Sequence, residues 1–129
     1  MTNAREEAQD PATTPERLHE LINLVGDRGN IDSDAGWCRE YVAANPSASL
    51  ETLIELAGDK NDFMSRLNAA KNPVLDDRTL WLLIDDPNDM VANAARERLN
   101  LAPKPRPNTI ARGVHIPRID PKTGRVIKP

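Results

Sequence analysis

The fold of this chain is decided by the stretch 45–56, which reads NPSASLETLIEL. Asn45 stands before a proline, a pairing that favours a turn and prevents a preceding helix from continuing. Ser49 is a good N-cap residue, because its hydroxyl oxygen can accept a backbone N–H that the first turn of a helix leaves without a partner. Leu53 and Leu56 follow on one helical face. The stretch therefore predicts a turn and then a short helix with a single apolar stripe.

The same pattern occurs three times in the first hundred residues. Each copy has Asp or Asn before a proline, a capping residue three positions after that proline, and leucines four and seven positions after the cap. The copies are Asp10, Pro11, Thr14, Leu18 and Leu21; Asn45, Pro46, Ser49, Leu53 and Leu56; and Asn72, Pro73, Asp76, Leu80 and Leu83. The prolines are 35 and then 27 residues apart, so the first unit holds 8 extra residues, which we place within 27–36.

After each predicted helix come a polar turn and a second short apolar segment. A helix pair of this size cannot bury its apolar stripe alone, whereas stacked neighbours form a continuous core. The repeat therefore predicts an array of helix pairs. The alternative is an irregular helical bundle in which the repeat is accidental.

These residues resemble the leucine-rich repeat variant family, whose repeats read approximately A-x-N-P-x-T-P-x-x-x-L-x-x-L. The resemblance is carried by the strings 8–18 and 42–53 and extends over roughly residues 8–99. It implies an all-α, right-handed helical-repeat solenoid of about three repeats, with alternating α and 3₁₀ helices, followed by an extended C-terminal tail. It also implies a binding scaffold without a defined reaction. The iron–sulfur cluster of some family members is not implied, because Cys38 is the only cysteine.

Charge and proline divide the chain in two. Residues 1–100 hold 10 Lys and Arg against 19 Asp and Glu, whereas residues 101–129 hold 7 against 1 and also six of the 11 prolines. A helix cannot run through so many prolines. We therefore predict an N-terminal arm over 1–9, a helical-repeat domain over 10–100, and a basic, proline-rich tail over 101–129.

The end of this tail has an apolar and β-branched character that a purely solubilising tail does not need. The turn sequence DPKTG at 120–124 lies between β-branched segments and predicts a hairpin over 114–128. A lone hairpin is marginal in water, so we expect it to dock on a surface. A disordered tail is the alternative. The residues predicted to bind a partner are Arg112, Val114, Ile116, Arg118, Ile119, Lys122, Arg125, Val126 and Ile127.

Nothing in the sequence forms a recognised metal-binding motif. Asn30, Asp32 and Asp34 precede Gly36 with some likeness to a calcium-binding loop, but the glycine falls one position late and Tyr41 stands where the loop needs Glu. We therefore expect a solvated turn there, with no bound metal and no cofactor.

Catalytic motifs are also missing from the sequence. It contains no Gly-rich phosphate loop, no G-x-S-x-G and no H-E-x-x-H. We expect Cys38 to be a small buried residue rather than a nucleophile, and His19 and His115 to lie at the surface. Adjacent carboxylates are expected to serve helix starts. The sequence therefore predicts that the chain is not an enzyme.

Together these features predict a non-catalytic protein–protein interaction module, an adaptor or accessory subunit of a larger assembly such as a virion. With one cysteine, no run of 18 apolar residues and no apolar leader, we expect a reducing, cytoplasmic setting and no membrane partner. The partner is expected to be a protein, with self-association through the tail as one form. The alternative is a nucleic-acid-binding accessory protein whose tail cations contact phosphates, although the tail has no aromatic residue for stacking.

Overall fold

The computed structural model describes residues 3–26, 28 and 33–105, and the backbone of 118–119 and 126–127. Up to residue 105, this part of the chain is helical. Its α-helices are α1 (Ala4–Gln9), α2 (Pro15–Leu21), α3 (Asp34–Ala44), α4 (Leu50–Ala57), α5 (Phe63–Lys71), α6 (Asp77–Leu83) and α7 (Asp89–Arg98). In the tail, β1 (Arg118–Ile119) pairs antiparallel with β2 (Val126–Ile127), and Ile119 lies opposite Val126.

The predicted capping residues begin α2, α4 and α6. Thr14, Ser49 and Asp76 each have extended backbone, and each side chain accepts the backbone N–H three residues later at 3.1–3.2 Å. Pro15 occupies the first turn of α2, where its missing N–H costs nothing. The prediction of these three helix starts is confirmed.

The six leucines of the repeat are all buried, which confirms the predicted apolar stripe. Helices α2, α4 and α6 supply these leucines, whereas α3, α5 and α7 present mainly Ala and Val, with Cys38 among them. Helix α1 packs on α3, α3 packs on α5, and α5 packs on α7. Each leucine-bearing helix lies against the helix that follows it. The apolar core therefore runs along the whole helical part.

Asn45 joins the turn before α4 to the end of α1. Its Nδ2 donates to the carbonyl oxygens of Ala8 and Asp10 at 2.9 and 3.0 Å, while its Oδ1 accepts the backbone N–H of Ser47 at 2.9 Å. The amide therefore closes its own turn and also satisfies two carbonyls that α1 leaves without a helical partner. A carboxylate could not do both, because it has no donor at neutral pH.

Asn72 makes the same contacts one unit further along. Its Nδ2 donates to the carbonyls of Ala43 and Asn45 at 3.0 and 2.9 Å, and its Oδ1 accepts the N–H of Val74 at 3.0 Å. The two asparagines thus form a ladder of side-chain bonds, which we call the asparagine ladder. Asp10 occupies the matching position in the first turn, and its Oδ1 accepts the backbone N–H of Ala12 at 2.9 Å.

An arginine completes the ladder after the last unit. The guanidinium of Arg98 donates to the carbonyls of Ala70, Asn72 and Leu75 at 2.7–3.2 Å. No Asn-Pro pair follows Leu99 in the sequence, so the arginine supplies the donor that a further unit would have supplied.

The chain reverses direction after α7. Asn100 has φ 59°, a left-handed conformation that Asn tolerates better than most residues. The N–H of Leu101 donates to the carbonyl of Arg96 at 2.8 Å, and the N–H of Asn100 to that of Glu97 at 3.1 Å. Residues 101–105 therefore run back beside α7.

Residues 4–9 of the predicted N-terminal arm over 1–9 form α1. Asn3 caps this helix through Glu6, and Ala8 is fully buried. Helix α1 stands before α3 as α3 stands before α5. Helix α1 could not be predicted from the sequence, because it has six residues and only one of them is buried. One buried side chain does not produce a periodic apolar pattern.

The expected alternation of α helices with short or 3₁₀ helices has no 3₁₀ member among the described residues, where every helix is α. The segments after Pro11, Pro46 and Pro73 are turns. In each turn one backbone N–H donates to the carbonyl three residues earlier in the chain. The N–H of Ala48, for example, donates to the carbonyl of Asn45. The capping residue that follows is extended, so a second such bond, which a 3₁₀ helix needs, does not form.

Gly36 fits the long turn of the first unit against α3. A Cβ at this position would lie 2.3 Å from the carbonyl oxygen of Arg28. Any side chain here would therefore push the turn away from the helix. The extra residues were predicted within 27–36, of which residues 27 and 29–32 lie outside the described residues.

We expect Asn72→Asp to lower the free energy of unfolding by about 2–4 kcal/mol. The substitution keeps the Oδ atom that closes the turn but removes the donor to the carbonyls of Ala43 and Asn45, of which the second keeps the N–H of Ala48. It also sets a buried carboxylate oxygen against both carbonyls, and an unsatisfied buried group costs roughly 1–3 kcal/mol, more when it is charged. The measurement is urea denaturation at neutral pH. Asn23→Asp is the matched control, because Asn23 is exposed and bonds one carbonyl. Equal stability of the two variants would contradict the role of the asparagine ladder.

Candidate protein-docking site

The sequence-predicted partner residues of the tail lie outside the described residues, except for the backbone of four of them. Arg118, Ile119, Val126 and Ile127 form the paired backbone of β1 and β2, within the predicted hairpin. Arg112, Val114, Ile116, Lys122 and Arg125 are not described. Binding by the tail therefore stays a prediction, and the described surface points to a second place.

An open groove of about 700 Å³ runs between α4, α6 and the turns that follow them. Apolar side chains and four charged groups surround it. The lining residues are Ile54, Ala57, Gly58, Lys60, Arg66, Thr79, Leu82, Leu83, Asp85, Asp86 and Pro87. We call this the α4–α6 groove. Its volume lies in the range of binding pockets, roughly 300–1,000 Å³.

A buried ion pair borders the groove. The Arg66 Nε and Nη2 donate to the two carboxylate oxygens of Asp86 at 2.8 and 3.1 Å, and both side chains are at most 10% exposed. The remaining Nη1 donates to the carbonyl of Asp59 at 2.8 Å. This two-pronged geometry holds the turn after α6 against α5, and it fixes the shape of one wall.

A second buried pair repeats this arrangement one unit earlier. Arg39 donates to Asp59 at 2.9 Å and to the carbonyl of Ile22 at 2.8 Å. Arg39 and Arg66 are 27 residues apart, and so are Asp59 and Asp86. This distance equals the spacing between the second and third units. The sequence analysis missed these residues, although that shared spacing was a signal that could have found them.

Exposed apolar side chains lie on α4 and α6, and two of them, Ile54 and Leu82, line the groove. The large apolar residues exposed on these two helices are Leu50, Ile54, Trp81 and Leu82. Leu82 is 79% exposed and Trp81 is 52% exposed. We call these exposed side chains the α4–α6 face. A cluster that leaves a Trp and three aliphatic side chains in water is typical of an interaction surface.

The leucine-bearing helices α2, α4 and α6, which we call the outer helices, carry a net negative charge. Helices α2, α4 and α6 together carry five Asp or Glu residues and two arginines, whereas α1, α3, α5 and α7 carry six acidic and six basic residues. The negative charge that the helices contribute is therefore concentrated on the side of the molecule that bears the α4–α6 face. Such a surface favours a positively charged partner.

The start of the tail reaches the edge of the groove. The backbone N–H of Lys104 donates to Asn93 Oδ1 at 2.7 Å, and its Nζ lies 3.1 Å from the carbonyl oxygen of Asp86 and 3.8 Å from Asp89 Oδ1. Asp86 and Pro87 both line the groove. Residue 104 is therefore held at the groove's rim.

Cys38 is fully buried, as the sequence predicted. Burial raises the pKa of the thiol to about 11, and the nearby Asp34 carboxylate contributes to this shift. The thiol is therefore protonated at neutral pH, and the protonated form is the less reactive one. His19, expected at the surface, is half-exposed, and its Nδ1 lies 2.8 Å from Thr52 Oγ1 on α4.

Two carboxylates that have an acidic neighbour in the sequence, Glu7 and Asp76, accept hydrogen bonds from nearby groups. The Arg17 guanidinium bonds both oxygens of Glu7 at 2.8 and 3.2 Å and holds the pKa of that carboxyl below its usual range. Hydrogen bonds from Thr79 hold the pKa of the capping Asp76 below its usual range. Carboxylates kept ionised in this way are poor general acids at neutral pH.

Within the residues that the structure describes, no group of three or more His, Cys, Asp or Glu side chains could hold a metal ion. Asn30 and Asp32 of the considered calcium loop lie outside them, and Asp34 bonds Arg5 at 2.7 Å. No described helix combines the length and the apolar character needed to cross a membrane. No family model, characterised protein or solved structure matches this chain.

We expect Asp86→Asn to lower the free energy of unfolding by about 3–5 kcal/mol, because it leaves the buried guanidinium of Arg66 without its counter-charge. Asp85→Asn is the matched control. Its carboxylate pairs with Arg96 but is 80% exposed, so its loss should cost at most about 1 kcal/mol. Guanidinium chloride titrations of both variants provide the measurement. Similar losses at the two positions would disprove the special role of the buried pair.

We expect Glu40→Gln to raise the melting temperature at neutral pH. Burial and the adjacent Asp62 raise the pKa of Glu40, so the folded chain loses stability as pH rises through that pKa. The gain should shrink as the pH is lowered towards the ordinary Glu value of 4.5. Melting curves across this range check it, with the exposed Glu97→Gln as control. A pH-independent difference would contradict the assignment.

Proposed function

We propose that this chain is a non-catalytic protein–protein interaction module, a short right-handed helical-repeat solenoid that docks a partner protein on its α4–α6 face. It serves as an adaptor or accessory subunit of a larger assembly in the cytoplasm or in a virion. The recurrence of the asparagine ladder and of the buried Arg–Asp pairs at 27 residues supports the repeat interpretation. The resemblance of the repeats to the leucine-rich repeat variant family supports it as well.

The observation that carries the docking proposal is the exposure of Leu82, which lines the α4–α6 groove, and of its neighbour Trp81 on α6. Side chains of this kind dominate binding energy when a partner removes them from water. On the same side of the molecule, Leu18, Leu53 and Leu80 are fully buried, so the repeat has no need of further apolar residues there. Trp81 and Leu82 are therefore best explained by a partner.

A non-catalytic role is supported by the state of the groups that could perform chemistry. Cys38 is buried and protonated, and the Glu7 and Asp76 carboxylates are engaged by neighbours. The groove borders on one buried ion pair, whose charges neutralise each other. These features suit a surface that binds and does not react.

We expect the double variant Trp81→Ser, Leu82→Ser to lose its partner while keeping its melting temperature. Loss of two hot-spot residues should weaken binding by at least 10-fold, because each is worth about 2 kcal/mol or more. The measurement is affinity capture by the tagged full chain from extracts of its source cells, quantified by mass spectrometry with and without nuclease.

The matched control is Val25→Ser, Val74→Ser, which removes two exposed apolar side chains outside the α4–α6 face. Equal capture by both double variants would overturn the docking role of this face. Captured material that disappears on nuclease treatment would favour the nucleic-acid alternative instead.

A further inference from the structure

We infer that the α4–α6 groove is occupied by the chain's own basic tail, residues 106–129, which packs its β-branched side chains on the α4–α6 face. This inference deepens the proposed function and rests on it, because both use the same face. It names the chemistry that the face selects: a positively charged, β-branched segment. A partner protein would present a segment of the same kind and displace the tail.

The path of the chain delivers the tail to the groove. After α7 the backbone turns at Asn100 and runs back beside that helix, held by the bonds of Leu101 to Arg96 and of Lys104 to Asn93. Lys104 is then fixed against the carbonyl of Asp86, at the groove's rim. The tail therefore starts next to its proposed binding site, and the chain that connects the two can be short.

The tether is long enough for the hairpin to reach the whole groove. Eight residues, 106–113, precede the predicted hairpin and can span up to about 26–29 Å. Helix α4, with 8 residues, is about 12 Å long. The hairpin can therefore lie along the face without strain in the connection.

Charge favours this occupant. Residues 106–129 carry six Lys or Arg and one Asp, whereas α2, α4 and α6 carry an excess of three carboxylates. Asp85 lines the groove with a side chain that is 80% exposed, and Glu55 on α4 has a side chain that is 47% exposed. Both are available to cations of the tail, and their contribution is mainly to orientation and rate of encounter.

Apolar surface on the tail matches the apolar surface of the face. β1 and β2 pair through two residues each, and a two-stranded hairpin alone is marginal in water. Packing on Ile54 and Leu82 would remove apolar area from both partners at roughly 25 cal/mol per Å². Each surface thus lacks the cover that the other provides.

Binding within one chain is favoured over binding between two copies. A short flexible tether gives the tail an effective concentration in the millimolar range at its own groove. A second copy reaches that concentration only when the protein itself is millimolar. At micromolar concentrations the tail should therefore occupy the groove of its own chain.

The test uses an equal mixture of unlabelled and ¹⁵N-labelled full chains at micromolar concentration, treated with a carbodiimide that joins amines to adjacent carboxylates. We expect amide crosslinks from Lys122 or Lys128 to Asp85, which lines the groove. Mass spectrometry should find both halves of each crosslinked peptide with the same isotope, because the two groups belong to one chain.

Two variants separate packing from simple charge attraction. Ile54→Ser, Leu82→Ser removes the apolar face, and Ile116→Ser, Ile119→Ser removes the apolar tail, so each should reduce the crosslink yield at least 5-fold. Val25→Ser changes an exposed apolar residue elsewhere and should leave the yield unchanged. The tail variant needs no change in the helical part, so its result stands even if the face variant is destabilised.

Three results would overturn the inference: peptides with mixed isotopes, which indicate exchange between copies; crosslinks that both Ser variants retain, which indicate charge alone; and no tail crosslink. The result is separable from the capture experiment. Loss of partner capture on mutating Trp81 and Leu82 without any tail crosslink would leave the proposed function standing and remove only the tail as occupant.

Discussion

The asparagine ladder is the interaction on which the arrangement of the helices depends. Each helix pair ends with backbone carbonyls that α-helical bonding leaves unsatisfied, and the side chains of Asn45 and Asn72 supply donors to them from the next turn. Only an amide carries a donor and an acceptor on one short side chain, so the same residue also closes the turn that starts the next helix. Asp10 begins the series with an acceptor alone, and Arg98 ends it with donors alone.

The buried Arg–Asp pairs act on the opposite ends of the units. Arg39 on α3 holds the turn after α4, and Arg66 on α5 holds the turn after α6. The groove lies between α4 and α6. A buried pair is not by itself strong support for stability, because removing two charges from water is costly. Its value here is geometric: the guanidinium of Arg66 fixes the position of Asp86, which forms one rim of the groove and also receives Lys104.

These constraints lead to the proposed role. With the leucines and small residues buried in one continuous core, Trp81 and Leu82 remain in water beside an acidic surface. That combination suits a basic and β-branched segment, and the end of this chain has both properties. An interaction module that carries a competitor for its own surface would bind only partners that displace the tail.

The sequence alone determined the three helix starts and the six buried leucines, because caps and apolar periodicity are local and each is written within a dozen residues. It also predicted that Cys38 is buried. It did not reveal α1, whose one buried residue gives no period, nor the second use of Asn45 and Asn72, whose acceptors lie 27 or more residues away. The groove between α4 and α6 and the pairing of Arg66 with Asp86 depend on how successive units stack. Only the tertiary structure decided these, because they are set by distances between residues that the chain order keeps apart.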